Sequence, residues 1–158
     1  MNNDYDKYMK RAIELSKDNV VKNAGGPFGA VVVLNGKIVG EGANHVTTNN
    51  DPTAHAEVEA IRNACKNLKT FDLSGGMIFT SCEPCPMCLS AIYWARLDRI
   101  YYANNRTDAA NIQFDDDLIY TEIPKDPKLR KIPATELLRG EALQVFDLWM
   151  KSAAKVRY

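Results

Sequence analysis

The chain carries no surplus of charge: Lys and Arg total 20, and Asp and Glu total 20. A protein built to grip a phosphate backbone needs a basic face. The balance therefore argues against a dedicated nucleic-acid binder, although it leaves a local basic patch open. No stretch is long and apolar enough to cross a bilayer. Met1 to Tyr8 is polar and charged, without the apolar stretch of a secretory signal. Histidine is scarce, with only His45 and His55, and of the four cysteines three fall within Cys82–Cys88. That clustering suggests metal or thiolate chemistry in a reducing compartment rather than a disulfide framework. Internal repeats and low-complexity tracts are also lacking. The expectation is one soluble, cytoplasmic domain over residues 1–158, long enough to bury a real core.

The pattern along the chain gives the elements. Tyr5 to about Lys22 places Met9, Ala12, Ile13, Leu15 and Val20 close to helical spacing, and Gly25-Gly26-Pro27 ends it. Phe28–Leu34 and Lys37–Gly42 are Val- and Ile-rich strands joined by Asn35-Gly36, a pair suited to a type I′ hairpin turn. A loop over Asn44–Asn50 leads to Asp51-Pro52, which reads as an N-cap followed by Pro at the first helical position. The helix it opens should reach about Leu68. A strand over Met77–Ser81, a helix over Cys85–Ala95 and a strand over Ile100–Ala103 follow. Asn104–Tyr120 is a mixed loop with a short helix, and Pro124–Pro133 is a charged connector. Glu141 to about Lys155 is a closing amphipathic helix. Strands alternating with helices after a hairpin argue for a mixed sheet covered by helices.

Two short fragments carry the chemistry: His55-Ala56-Glu57 and Pro84-Cys85-Pro86-Met87-Cys88. One His and two Cys make an incomplete zinc cage with a carboxylate beside it. Structural zinc takes four protein ligands, whereas catalytic zinc takes three and leaves one position to water. Cys85 and Cys88 stand one helical turn apart at a helix start, where the partial positive charge lowers a thiol's pKa. His55 and Glu57, read as part of one helix, stand roughly 200° apart around it, so a shared water has to lie near the helix end. Such a metal lowers the pKa of bound water toward neutrality. Glu57 is then placed to take the proton and return it to a ring nitrogen and a departing amine.

Blander readings exist for each residue. Cys82 forms a second C-x-x-C with Cys85, and with His55 it would close a structural Cys₃His site. A redox C-x-x-C is another reading, but it needs no His-x-Glu partner. Cys65 lies within a helix and reads as a small buried apolar residue, and His45 as a loop residue. Trp94–Arg96 suits helix packing, Asn44 a loop cap, and Asp116 a solvated acidic run. A terminal Tyr158 is by default simply exposed.

Together the fragments match the H-x-E and P-C-x-x-C pattern of zinc deaminases, and the chain resembles the cytidine deaminase-like superfamily. Gly26–Ala30, Asn44, Asp51–Glu57, Thr80–Cys88, Ala91–Arg96, Thr107–Ala110, Phe114–Asp116 and Tyr158 resemble its bacterial guanine deaminase branch. The likeness is thinnest from Pro124 to Leu148. It implies a three-layer α/β/α fold with a mixed central sheet, one zinc per chain on His55, Cys85 and Cys88, and guanine converted to xanthine and ammonia. It implies that Phe28 packs on the base and Asn44 holds it. Ala56 and Trp94 join the substrate pocket, and Asp116 contacts the base edge and assists proton transfer beside Glu57. Tyr158 closes the pocket, in some members from a partner whose C-terminal segment has swapped across a homodimer. A tRNA adenosine deaminase shares the zinc fragments, a guanosine or cytosine deaminase fits them too, and a non-catalytic zinc-binding interaction domain is the reading from another class.

Overall fold

Asn35 and Gly36 both adopt positive φ, 50° and 74°. Tight hairpins use that backbone because its twist matches the strands it joins. It connects β1 (Gly29–Leu34) to β2 (Lys37–Ala43), antiparallel, with Leu34 opposite Lys37. The computed structural model describes residues 4–158, and this hairpin founds the first of two units, which ends at Asp116. β3 (Met77–Cys82) pairs antiparallel with the other side of β1, and β4 (Arg99–Asn104) runs parallel to β3. The order is β2-β1-β3-β4, a mixed sheet as expected.

Alternation along the strands sends side chains to opposite faces. Val31, Val33 and Phe79 pack with Tyr8 of α1 (Asp4–Val21) on one face. Ala30, Val32 and Ile78 pack on the other with Ala56, Ala60 and Ala64 of α3 (Ala56–Leu68) and Ile92 of α4 (Pro86–Trp94). Helix, sheet and helix thus form the three layers. Two glycine seams set how closely the layers approach. A Cβ on Gly42 would lie 2.2 Å from the Ala56 carbonyl, and one on Gly40 2.3 Å from that of Ala60. A Cβ on Gly29 would lie 2.3 Å from the Ala12 carbonyl of α1. The alanines of α3 at i, i+4 and i+8 therefore rest backbone-close on β2, which carries the start of α3 to the sheet end.

Two expectations about the elements of this unit are corrected. The helix expected from Pro52 begins only at Ala56, because Asp51 spends its side chain on its own turn. Its Oδ1 accepts from Thr53 N and Thr53 Oγ1 at 2.8 and 2.7 Å, an Asx turn in which Pro52 fits equally well. His55 is consequently an extended N-cap (φ −72°, ψ 154°), not a helical residue, and the angular argument relating it to Glu57 no longer applies. The Asn44–Asn50 loop contains a one-turn helix, α2 (Val46–Asn49). After β4 the expected short helix is present as α5 (Arg106–Asn111), which opens with a full capping box between Asn105 and Asp108.

The second unit, Asp117–Tyr158, holds α6 (Asp117–Glu122), a 3₁₀ turn at Pro127–Leu129 and α7 (Arg139–Lys151). α7 stops at Lys151 rather than near Lys155, since Ser152 is extended (φ −67°, ψ 128°). The apolar face of this amphipathic helix is left exposed. Phe146 and Leu148 are 68% and 69% exposed, and no residue of α7 is buried.

Candidate active site

Two helix starts bring the donors together. Cys85 is the N-cap of α4 in extended backbone, Pro86 follows at the first helical position, and Cys88 sits on the first turn. His55 is the N-cap of α3, and Glu57 lies on its first turn. His55 Nδ1 is 3.5 Å from both Cys85 Sγ and Cys88 Sγ, and the three donor atoms lie within 4.8 Å of one another. Cys88 is fully buried. Glu57 is buried too, with Oε2 accepting from Cys88 Sγ at 3.4 Å. Cys82 stays out of this group: its buried Sγ points to the Asn105 carbonyl at 3.7 Å.

The electrostatics follow from this crowding. Cys85 is pulled down to about 4, chiefly by the hydrogen bond from the Cys88 thiol, helped by His55 and the Cys88 backbone N–H against the cost of burial. Cys88 moves the opposite way, because its thiol proton is held between Cys85 and Glu57 and the group is buried. Both thiols were expected to be lowered; two neighbouring thiolates repel, and only a cation between them relieves that. The Cys85 hydrogen bond raises His55, and burial raises Glu57. Cys82 is pushed up to about 11 by burial. A soft donor pair, an imidazole and a repulsion that needs a cation fit one zinc ion per chain. Three such donors, with Cys82 elsewhere, would leave one coordination position open.

The other expected residues distribute unevenly. Phe28 meets Phe114 edge-on, ring centroids 4.9 Å apart at 89°. Asn44 is buried, its backbone N–H donating to the Phe28 carbonyl at 3.1 Å. The next residue ties this loop to the zinc side, since His45 N donates to the Ala54 carbonyl at 2.9 Å. Ala56 is fully buried under Gly42. Asp116 is partly buried, and burial, then the Cys85 charge, raises its carboxyl. Trp94 lies at the opposite end of α4 from Cys88 and is 65% exposed; Tyr158 is 72% exposed. Cys65 is only partly buried where a buried residue was expected, and His45 lies in a loop, as expected.

Several positioning residues escaped sequence reasoning. Phe114 backs Phe28, Glu83 Oε2 accepts from Arg106 N at 3.0 Å, and Ser81 Oγ accepts from Gly29 N at 3.0 Å. Asn19 of α1 hydrogen-bonds two loops at once. Of the expected α1 stripe, Ala12 is buried and Met9 and Leu15 are partly buried, whereas Ile13 and Val20 are exposed, and nothing local identified the polar members of the buried face.

Comparison with known proteins agrees with this geometry. The family model for the cytidine and deoxycytidylate deaminase zinc-binding region matches residues 2–104. The guanine deaminase of Bacillus subtilis is 51% identical over 154 residues, 98% of this chain and 99% of that protein. Its X-ray structure superposes with a TM-score of 0.94 across 100% of this chain and 99% of that one. A guanine deaminase from Nitrosomonas europaea gives a TM-score of 0.65 at 32% identity, covering 69% of this chain and 63% of that one. A tRNA-specific adenosine deaminase of Buchnera aphidicola is 44% identical over 100 residues, 63% of this chain and 61% of that protein.

Proposed function

The chain belongs to the cytidine and deoxycytidylate deaminase family, and from that premise we propose that it hydrolyses guanine to xanthine and ammonia. The observation that carries guanine over adenosine in tRNA is the extent of the likeness. It runs through 98% of the chain for the guanine deaminase but only 63% for the tRNA enzyme. His55, Cys85 and Cys88 hold the zinc, which supplies the Lewis acidity that brings water's pKa toward neutrality.

Glu57 does the proton work. Its burial beside the donor triad, with its carboxyl raised, suits a group that takes a proton from the attacking water and gives it up again. One proton goes to a ring nitrogen and one to the departing amine, as the C–O bond forms and the C–NH₂ bond breaks. Asp116, raised in the same direction, meets the base edge and assists that transfer. Phe28, braced by Phe114, stacks on the base; Asn44 and the Ala56 backbone hold it. The whole chain works as one deaminase domain.

The same reading includes a homodimer with the C-terminal segment exchanged. Support comes from the second unit, whose α7 leaves Phe146, Leu148 and Met150 uncovered. At about 40 residues such a unit rarely builds its own core. Trp94 and Tyr158, both exposed aromatics, become covers of the base when a second copy brings them over it. No described helix is long and apolar enough to cross a membrane. The four free cysteines suit a reducing cytoplasm.

The test is ammonia release from guanine, guanosine, cytosine, cytidine, adenine and an adenosine-bearing tRNA. Guanine should turn over fastest; faster release from the tRNA overturns the assignment.

A further inference from the structure

α1 takes no part in the chemistry above, yet it holds the loops that frame the base. Ala12 and Ser16 sit backbone-close on Gly29. Residues three apart share a helix face, so Ser16 and Asn19 both meet the loop before β1. Ser16 Oγ donates to the Pro27 carbonyl at 2.7 Å. Asn19 is 4% exposed and uses its Nδ2 twice, donating to the carbonyls of Gly26 and Asn44, each at 2.8 Å. An amide NH₂ carries two protons, and these two contacts use both.

The second link runs through Asn44. Its Oδ1 accepts from Gly26 N at 3.4 Å and Val46 N at 3.3 Å. These are long bonds, and the first depends on how the backbone at Gly26 is set, which Asn19 and the Phe28 N–H fix together through the Gly26 carbonyl. The two loops are also in close backbone contact: a Cβ on Gly25 would lie 2.0 Å from the Asn44 carbonyl. With Oδ1 taken by backbone donors, Asn44 offers its own NH₂ to a ligand.

We propose that Asn19 is a positioning residue for base recognition, clamping the Gly26 and Asn44 backbones so that Asn44 presents its amide N–H groups to the substrate. The inference rests on the guanine reading for the identity of that substrate, not for the clamp itself. Removing the clamp leaves the Gly26 carbonyl on Phe28 N alone, loosens the backbone at Gly26 against Asn44, and weakens the Gly26 N–H donor that holds Asn44 Oδ1. Substrate binding suffers, while the metal donors and Glu57 keep their places.

The experiment is a double-mutant cycle between Asn19→Ala and Asn44→Ala, with Tyr8→Phe as control. Tyr8 Oη donates to the Gly36 carbonyl at 2.6 Å, so the control removes another hydrogen bond of α1, at the hairpin turn. Asn19→Ala should raise KM about tenfold or more, with kcat within about threefold and zinc still one per chain. The double variant should have a KM close to that of Asn44→Ala alone, because the clamp acts through a side chain no longer there. Tyr8→Phe should leave KM unchanged. An unchanged KM in Asn19→Ala, fully multiplicative effects in the double variant, or an equal shift in Tyr8→Phe overturns the proposal. If Asn19→Ala does not fold, Asn19→Ser takes its place in the cycle. Should the wild type release no ammonia from guanine, the guanine reading fails by itself, and the cycle is run on whichever base it does deaminate.

Discussion

The two units of this chain use apolar residues in opposite ways. In the first, Val31, Val32, Val33, Ile78 and Phe79 are at most 1% exposed, and helices cover both faces of the sheet. In the second, α7 carries Val145, Phe146, Leu148 and Met150 at 52% exposure or more. Burying an aliphatic or aromatic side chain contributes about 1.5–3 kcal/mol, so the first unit can hold a metal cluster rigid. The second forgoes that stabilisation along α7. The contrast teaches that the metal-donor residues and the uncovered apolar stripe fall in different parts of this chain. The donor triad and Glu57 lie wholly in the self-supporting part.

The largest expected effect breaks the first unit's chemistry. Cys85→Ser or Cys88→Ser should abolish zinc binding and turnover, while Cys82→Ser should keep one zinc per chain, measured by metal analysis. Loss of metal from Cys82→Ser would mean a closed site instead of an open one. Next, Glu57→Gln should lower kcat by about 10²–10⁴-fold with zinc retained. Near-normal turnover would remove Glu57 from the mechanism.

The comparison sharpens at the second unit. Phe146→Glu places a charge in the apolar stripe and should shift the protein toward monomer in sedimentation experiments. Deleting Val156–Tyr158 should reduce turnover on guanine while leaving zinc content and folding intact. A truncated protein as fast as the full chain would show that Tyr158 covers nothing.

The smallest effect belongs to the surface of the first unit. Arg11 Nε meets Glu41 Oε1 at 2.8 Å and holds the Glu41 carboxyl below its ordinary 4.5, against the cost of burial. A lowered carboxyl contributes stability above its unfolded pKa, and that contribution fades as pH falls through the folded value. The pair is more than a third exposed, so solvent screening limits it to about 0–1 kcal/mol. The Tm difference between wild type and Glu41→Gln should be present at pH 7 and vanish in acid; a difference that persists there would assign it to packing.

How legible the molecule was depended on the range of each interaction. The Asn35-Gly36 turn, the hairpin strands and the Cys85 helix start rest on neighbouring residues, and all three appear where expected. The start of α3 did not, because Asp51 and Pro52 serve an Asx turn as well as a helix cap, and local preference cannot choose between them. The choice was made by Gly40 and Gly42, on whose missing side chains the Ala56–Ala64 ridge rests.

By itself the sequence determined the donors, their spacing and the class of chemistry, since ligand type and the i, i+3 interval are properties of the chain. Only the tertiary structure decided how deeply each thiol is buried, what Cys82 meets instead, and which helix holds the loops at Gly26 and Asn44. Those outcomes depend on burial and on distances between segments far apart in sequence. Cys85 and His55 are thirty residues apart, yet their donors stand 3.5 Å apart. Packing two helix starts against one sheet end is what closes that gap.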